Sequence, residues 1–86
     1  MIVAGNWKLN GDRSLVQEFT DGFANTSFTN FRPILCLPNV YLATVQDTNF
    51  GLGAQNLSEH LSGAFTGETS VAMLKEVNAE YVIIGH

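Results

Sequence analysis

Four short apolar runs set the strongest limit on what this chain folds into: Ile2 to Gly5, Ile34 to Leu37, Phe50 to Ala54, and Tyr81 to Ile84. A strand with one wet face alternates apolar and polar residues. Continuous apolar runs of this length belong instead to a parallel sheet covered on both faces. Each run ends at a residue that interrupts regularity or carries chemistry, namely Asn6, Pro38, Gln55 and Gly85-His86. Gly51 and Gly53 weaken the third run as a strand, so a close neighbour or a tight backbone approach is expected there.

Helical segments separate the runs. Ser14 followed by Gln17 reads as a capping box, and Leu15, Phe19 and Phe23 then form one apolar stripe. A helix of one or two turns fits Val40 to Val45. A third helix spans Ser70 to Val77, with Ala72, Met73, Leu74 and Val77 as its apolar side and Asn78 as its stop. The order β-α-β-α-β-α-β predicts an α/β fold with right-handed crossovers. An open doubly wound sheet and a barrel both remain compatible with it. The final strand lacks the helix that should follow, which reads as truncation after the fourth strand.

Composition narrows the class further. Of 86 residues, 45% are hydrophobic and 14% charged, apolar for a chain so small. Either some apolar groups expect cover from further chain, or this is an unusually apolar complete domain. Net charge is −4, and the four basic residues Lys8, Arg13, Arg32 and Lys75 are scattered, which argues against a nucleic-acid surface. Cys36 is the only cysteine and sits inside an apolar run, so it reads as packing in a reducing compartment. No secretory leader and no spanning segment are visible, and the chain reads as soluble and cytoplasmic.

The candidate chemistry begins at Gly5-Asn6-Trp7-Lys8-Leu9-Asn10-Gly11, directly after the first run. In parallel α/β folds, ligands bind at the carboxyl ends of the strands, where Asn6 and Lys8 would stand. A lysine there offers a compact positive charge to a phosphate or a developing oxyanion. The bland alternative is a solvated loop lysine.

This segment resembles the N-terminal signature of the triosephosphate isomerase family. Gly53-Ala54-Gln55-Asn56 and Gly63-Ala64-Phe65-Thr66-Gly67-Glu68-Thr69-Ser70 resemble the family's third strand and the long loop after it. Met73-Leu74-Lys75 and Glu80-Tyr81-Val82-Ile83-Ile84-Gly85-His86 resemble the approach to its active-site histidine. The blocks occur in the family's order from residue 2 to residue 86. The resemblance implies the N-terminal part, about four strands and three helices, of a (β/α)8 barrel of roughly 250 residues. Residues 1–86 would then be one portion of a single barrel domain.

The implied reaction interconverts dihydroxyacetone phosphate and D-glyceraldehyde 3-phosphate through an enediolate, in glycolysis and gluconeogenesis, with no cofactor and no metal. By the same resemblance Asn6 and Lys8 contact substrate, with Lys8 holding the phosphate and stabilising the enediolate. His86 polarises the substrate carbonyl. The family is the worked example of a histidine kept neutral by a helix N-terminus, and here that helix would lie beyond the sequence. Glu68 is a carboxylate in a glycine-rich loop, but the family's glutamate base lies on a much later loop. Glu68 is instead expected in a structural ion pair near a subunit interface. His60 reads as a solvated loop residue and Trp7 as packing. Leu9 replaces the methionine found in many members, a swap of similar volume.

Residues 56–69 are too many for an ordinary βα connection of ~2–6 residues, and they carry Leu57, Leu61 and Phe65. The resemblance implies a loop that joins two subunits of a homodimer, with Phe65, Thr66 and Glu68 at the interface. Thr66 would approach the partner subunit's Asn6. The expected partners are thus a small phosphorylated triose and a second copy, with no nucleic acid and no membrane. Two alternatives stand beside this reading: a non-catalytic half-barrel that assembles with a partner chain, and another phosphate-handling isomerase barrel.

Overall fold

The computed structural model describes residues 1–24, 26–45 and 49–85. In chain order it contains β1 (Ile2–Asn6), α1 (Arg13–Ala24), β2 (Arg32–Leu37), a 3-10 helix (Asn39–Thr44), β3 (Gly51–Ala54), α2 (Val71–Glu76) and β4 (Tyr81–Val82). The strands form one parallel sheet in the order β1-β2-β3-β4. That sequential order resolves the ambiguity left by the sequence. A doubly wound sheet reverses its strand order at a switch point, whereas a barrel adds each strand beside the last.

The register shows how the faces divide. Leu35 pairs with Leu52, and Leu37 with Ala54 and then Val82. These residues share a core with Val16 of α1, Leu42 of the 3-10 helix and Leu74 of α2. All three helical segments therefore cover the same face. The opposite face carries the row Asn6, Cys36, Gly53 and Tyr81, paired strand to strand. Its glycines have a steric reason. A Cβ at Gly53 would lie 2.7 Å from Cys36 Sγ, and one at Gly51 would lie 2.8 Å from the Tyr81 ring.

Burial follows the sequence reading for β2 and β3 but not for β1. Ile34 to Leu37 and Gly51 to Ala54 are buried, whereas Ile2 and Val3 are 60% and 50% exposed. Strand β1 pairs only with β2 among the described residues, so its apolar side chains lack a neighbour on the other flank. Strand β4 is shorter than expected and half-buried, although Ile83 still donates its N–H to the Ala54 carbonyl at 3.1 Å.

Helix ends are set by local chemistry. At α1 the cap is Asp12, not Ser14: Asp12 Oδ1 accepts from Leu15 N–H at 2.8 Å. A carboxylate just before the helix satisfies an orphan donor and meets the positive end of the dipole. Gln17 donates to Asp21 one turn on and closes no box with Ser14. The most buried residue of α1 is Val16, while Phe19 is 39% exposed. Phe19 meets the Trp7 ring edge-on at 5.2 Å. At α2 Ser70 caps the start, accepting from Met73 N–H at 3.3 Å. Asn78, at φ +64°, ends it, with Asn78 N–H bonded to Lys75 and Ala79 N–H to Leu74. That pair of bonds is the Schellman closure of a helix by a left-handed residue.

Candidate active site at the carboxyl end of the sheet

The site begins where β1 stops. Trp7 N–H extends the ladder by one bond to the Cys36 carbonyl at 3.0 Å. The backbone then turns sharply at Lys8, which sits in the left-handed region at φ +55°. For a residue with a Cβ this conformation costs roughly 1–2 kcal/mol. Two side chains hold it. Asn6 Oδ1 accepts from Lys8 N–H at 2.9 Å, and Gln55 Nε2 donates to the Lys8 carbonyl at 2.9 Å. Gln55 Nε2 also donates to the Cys36 carbonyl at 3.1 Å, so one amide ties the turn to β2 from the end of β3.

Gln55 is itself fixed. Its N–H donates to Asn39 Oδ1 at 3.2 Å, and Asn39 Nδ2 donates to Asn56 Oδ1 at 2.9 Å. The return of the turn is pinned at Gly11, φ +103°, where a Cβ would fall 2.7 Å from the Trp7 ring. Asn10 Nδ2 donates to the Trp7 carbonyl at 3.0 Å. The outcome is a rigid backbone that presents an exposed lysine, with no ion pair to its ammonium among the described residues. Such a cation is suited to an anionic ligand arriving from solvent.

Sequence reasoning named Asn6 and Lys8 and missed the supports. Gln55 was named only as the polar end of an apolar run and within a family-like block, without a role, and Asn39 was not named. Their partners lie 16 to 47 residues away, beyond any local pattern. Cys36 is buried beneath the turn, and burial raises its thiol above the ordinary value. It is protonated packing, as expected. His86 lies outside the described residues.

The segment 56–69 is a self-closed loop. Ser58 N–H donates to the Thr69 carbonyl at 2.7 Å, and the Ser58 hydroxyl bonds to the Glu68 carboxylate. The His60 and Phe65 rings stack at 3.7 Å. A cavity of about 180 Å³ is lined by Ser58, His60, Phe65, Glu68 and Met73, away from Asn6 and Lys8. His60 is exposed on the loop, as expected, and its ring stacks on Phe65. Leu57 packs against the core. Glu68 takes the Ser58 hydroxyl as its partner and forms no ion pair among the described residues. Phe65, Thr66 and Leu61 are exposed, Leu61 at 83%.

Comparison with known proteins bears on the whole of this arrangement. The family model described as triosephosphate isomerase matches residues 1–86. The triosephosphate isomerase of Photorhabdus laumondii is 45% identical over 91 residues, covering 99% of this chain and 36% of that enzyme. That of Alcanivorax borkumensis is 46% identical over 88 residues, covering 99% of this chain and 35% of the enzyme. That of Enterobacter cloacae is 44% identical over 91 residues, with 99% and 36% covered. The chain thus spans about a third of the length of the curated relatives it matches. The sequential parallel sheet is the N-terminal part of a TIM barrel, and the chain belongs to the triosephosphate isomerase family.

Proposed function

We propose that the full-length polypeptide carrying residues 1–86 interconverts dihydroxyacetone phosphate and D-glyceraldehyde 3-phosphate, and that this segment supplies one wall of its active site. The carrying observation is Lys8 itself: an exposed cation at the carboxyl end of β1, held in a left-handed backbone by Asn6 and Gln55. A fixed positive charge stabilises charge that develops during reaction without the cost of reorienting at that moment. Lys8 holds the substrate phosphate and faces the enediolate oxygen. Asn6, fixed through its Oδ1, keeps its amide N–H groups for substrate. His86 donates a hydrogen bond to the substrate carbonyl as the proton leaves carbon.

The base that takes that proton lies outside residues 1–86 in this reading, which form the N-terminal portion of one barrel domain. The loop 56–69 joins two copies, with Phe65, Thr66 and Glu68 at the contact. The self-closed form of the loop and its exposed Leu61 and Phe65 support an interface there. The enzyme works in the cytoplasm. Among the described residues no helix is long and apolar enough to cross a membrane. The test is a coupled assay on full-length protein purified from a host without its own isomerase. Turnover of both triose phosphates supports the reading, and its absence refutes it. Residues 1–86 alone should show no turnover, because general-base catalysis is worth ~10²–10⁴-fold and the base is missing.

A further inference from the structure

We propose that Tyr41 is a positioning residue for Lys8, acting through the backbone of Gly11; this rests on the functional reading of Lys8 given above. Tyr41 stands in the 3-10 helix after β2, and its hydroxyl donates to the Gly11 carbonyl at 3.2 Å, across 30 residues of sequence. Gly11 is where the Lys8 turn returns toward α1. Glycine at φ +103° has wide conformational freedom, so sterics alone do not choose its direction. The Trp7 ring lies against one side of Gly11, within 2.8 Å of where a Cβ would be. The Tyr41 hydroxyl holds its carbonyl.

Besides the local bonds made by the Asn6 and Asn10 side chains, three tethers tie the turn to the rest of the fold. Its start is held by Trp7 N–H on Cys36, its middle by Gln55 on the Lys8 carbonyl, and its return by Tyr41. Leu9, at the tip, is 98% exposed and adds no packing. Losing the tyrosine hydroxyl leaves the ring in its half-buried place on the core but frees the return limb. The lysine ammonium then samples a wider arc, and anion affinity falls. A tyrosine that served only as packing would lose stability on substitution and leave anion affinity alone.

The experiment uses the full-length protein with Tyr41→Phe, and Thr44→Val as a comparison. Thr44 Oγ1 donates to the Tyr41 carbonyl at 2.6 Å within the same helical turn and does not reach the Lys8 loop. Calorimetric titration with inorganic phosphate reads the grip of Lys8 independently of turnover. Tyr41→Phe should raise the phosphate Kd by about 3- to 10-fold, the range expected for one hydrogen bond, and raise KM for triose phosphate by the same factor. Thr44→Val should lower the thermal midpoint and leave both constants unchanged. The inference is overturned if Tyr41→Phe leaves the phosphate Kd unchanged, if Thr44→Val moves it as far, or if the wild-type protein binds no phosphate. Phosphate binding that responds to Tyr41→Phe in a protein without turnover would sustain the positioning role and refute the isomerase reading.

Discussion

Replacing Gln55 by leucine removes two hydrogen bonds at once, those from Nε2 to the carbonyls of Lys8 and Cys36, while keeping most of the side-chain volume. Each bond contributes about 0.5–1.5 kcal/mol net, so the folded state loses about 1–3 kcal/mol. The loss is not confined to stability. Lys8 occupies a left-handed conformation that costs about 1–2 kcal/mol, and the Gln55 bond is one of two that hold it there. Without that bond the strain is comparable to what remains, and the turn relaxes toward negative φ. The lysine ammonium then leaves the position from which it meets an anion. In the full-length protein, Gln55→Leu should lower kcat/KM by about 10- to 100-fold, since each 1.36 kcal/mol is tenfold. Steady-state kinetics with urea unfolding on the same preparation separates the two effects. A variant with kcat/KM within about twofold of wild type, but less stable by the amount above, would show that the Lys8 turn does not depend on Gln55.

Three further outcomes follow from particular contacts. Asp12→Ala should destabilise by ~1 kcal/mol in denaturant unfolding, whereas Ser14→Ala should be nearly silent, because the cap bond belongs to Asp12. Burial raises the Cys36 thiol above its ordinary value in the folded chain. The unfolded state therefore loses its proton first, and stability should decline as pH rises past the unfolded value; urea unfolding from pH 7 to 10 should show a decline that Cys36→Ala reduces. Deleting Leu61 to Thr66 from the full-length protein should turn a dimer into a monomer of much reduced activity in sedimentation and assay; a fully active dimer would remove the loop from the interface.

What could be read from the sequence was whatever rests on local pattern. Continuous apolar runs located all four strands to within two residues, and Asn78 marked the end of α2 because left-handed stops favour that side chain. Where two local signals competed, the pattern misled. Ser14 with Gln17 satisfies a capping spacing, but Asp12 stands nearer the true helix start and carries the stronger acceptor. The exposure of β1 was hidden because burial of a strand depends on its neighbours, not on its own residues. The expectation for Asn6 and Lys8 came through the family resemblance, yet the left-handed backbone at Lys8 was not legible. It is held by Asn6 and by Gln55, and Gln55 reaches the Lys8 carbonyl from 47 residues away.

The central claim is that Lys8, presented at the carboxyl end of β1, serves both the substrate phosphate and the charge that develops on the enediolate. Steady-state kinetics of Lys8→Ala and His86→Gln in the full-length protein test it most directly. Lys8→Ala should raise KM and lower kcat together, with kcat reduced by ~10²-fold or more, since it removes a charge used in both the bound and the transition state. His86→Gln should lower kcat with a smaller effect on KM. Identical kinetic profiles for the two variants, or a Lys8→Ala enzyme that retains wild-type KM and kcat, would contradict the account.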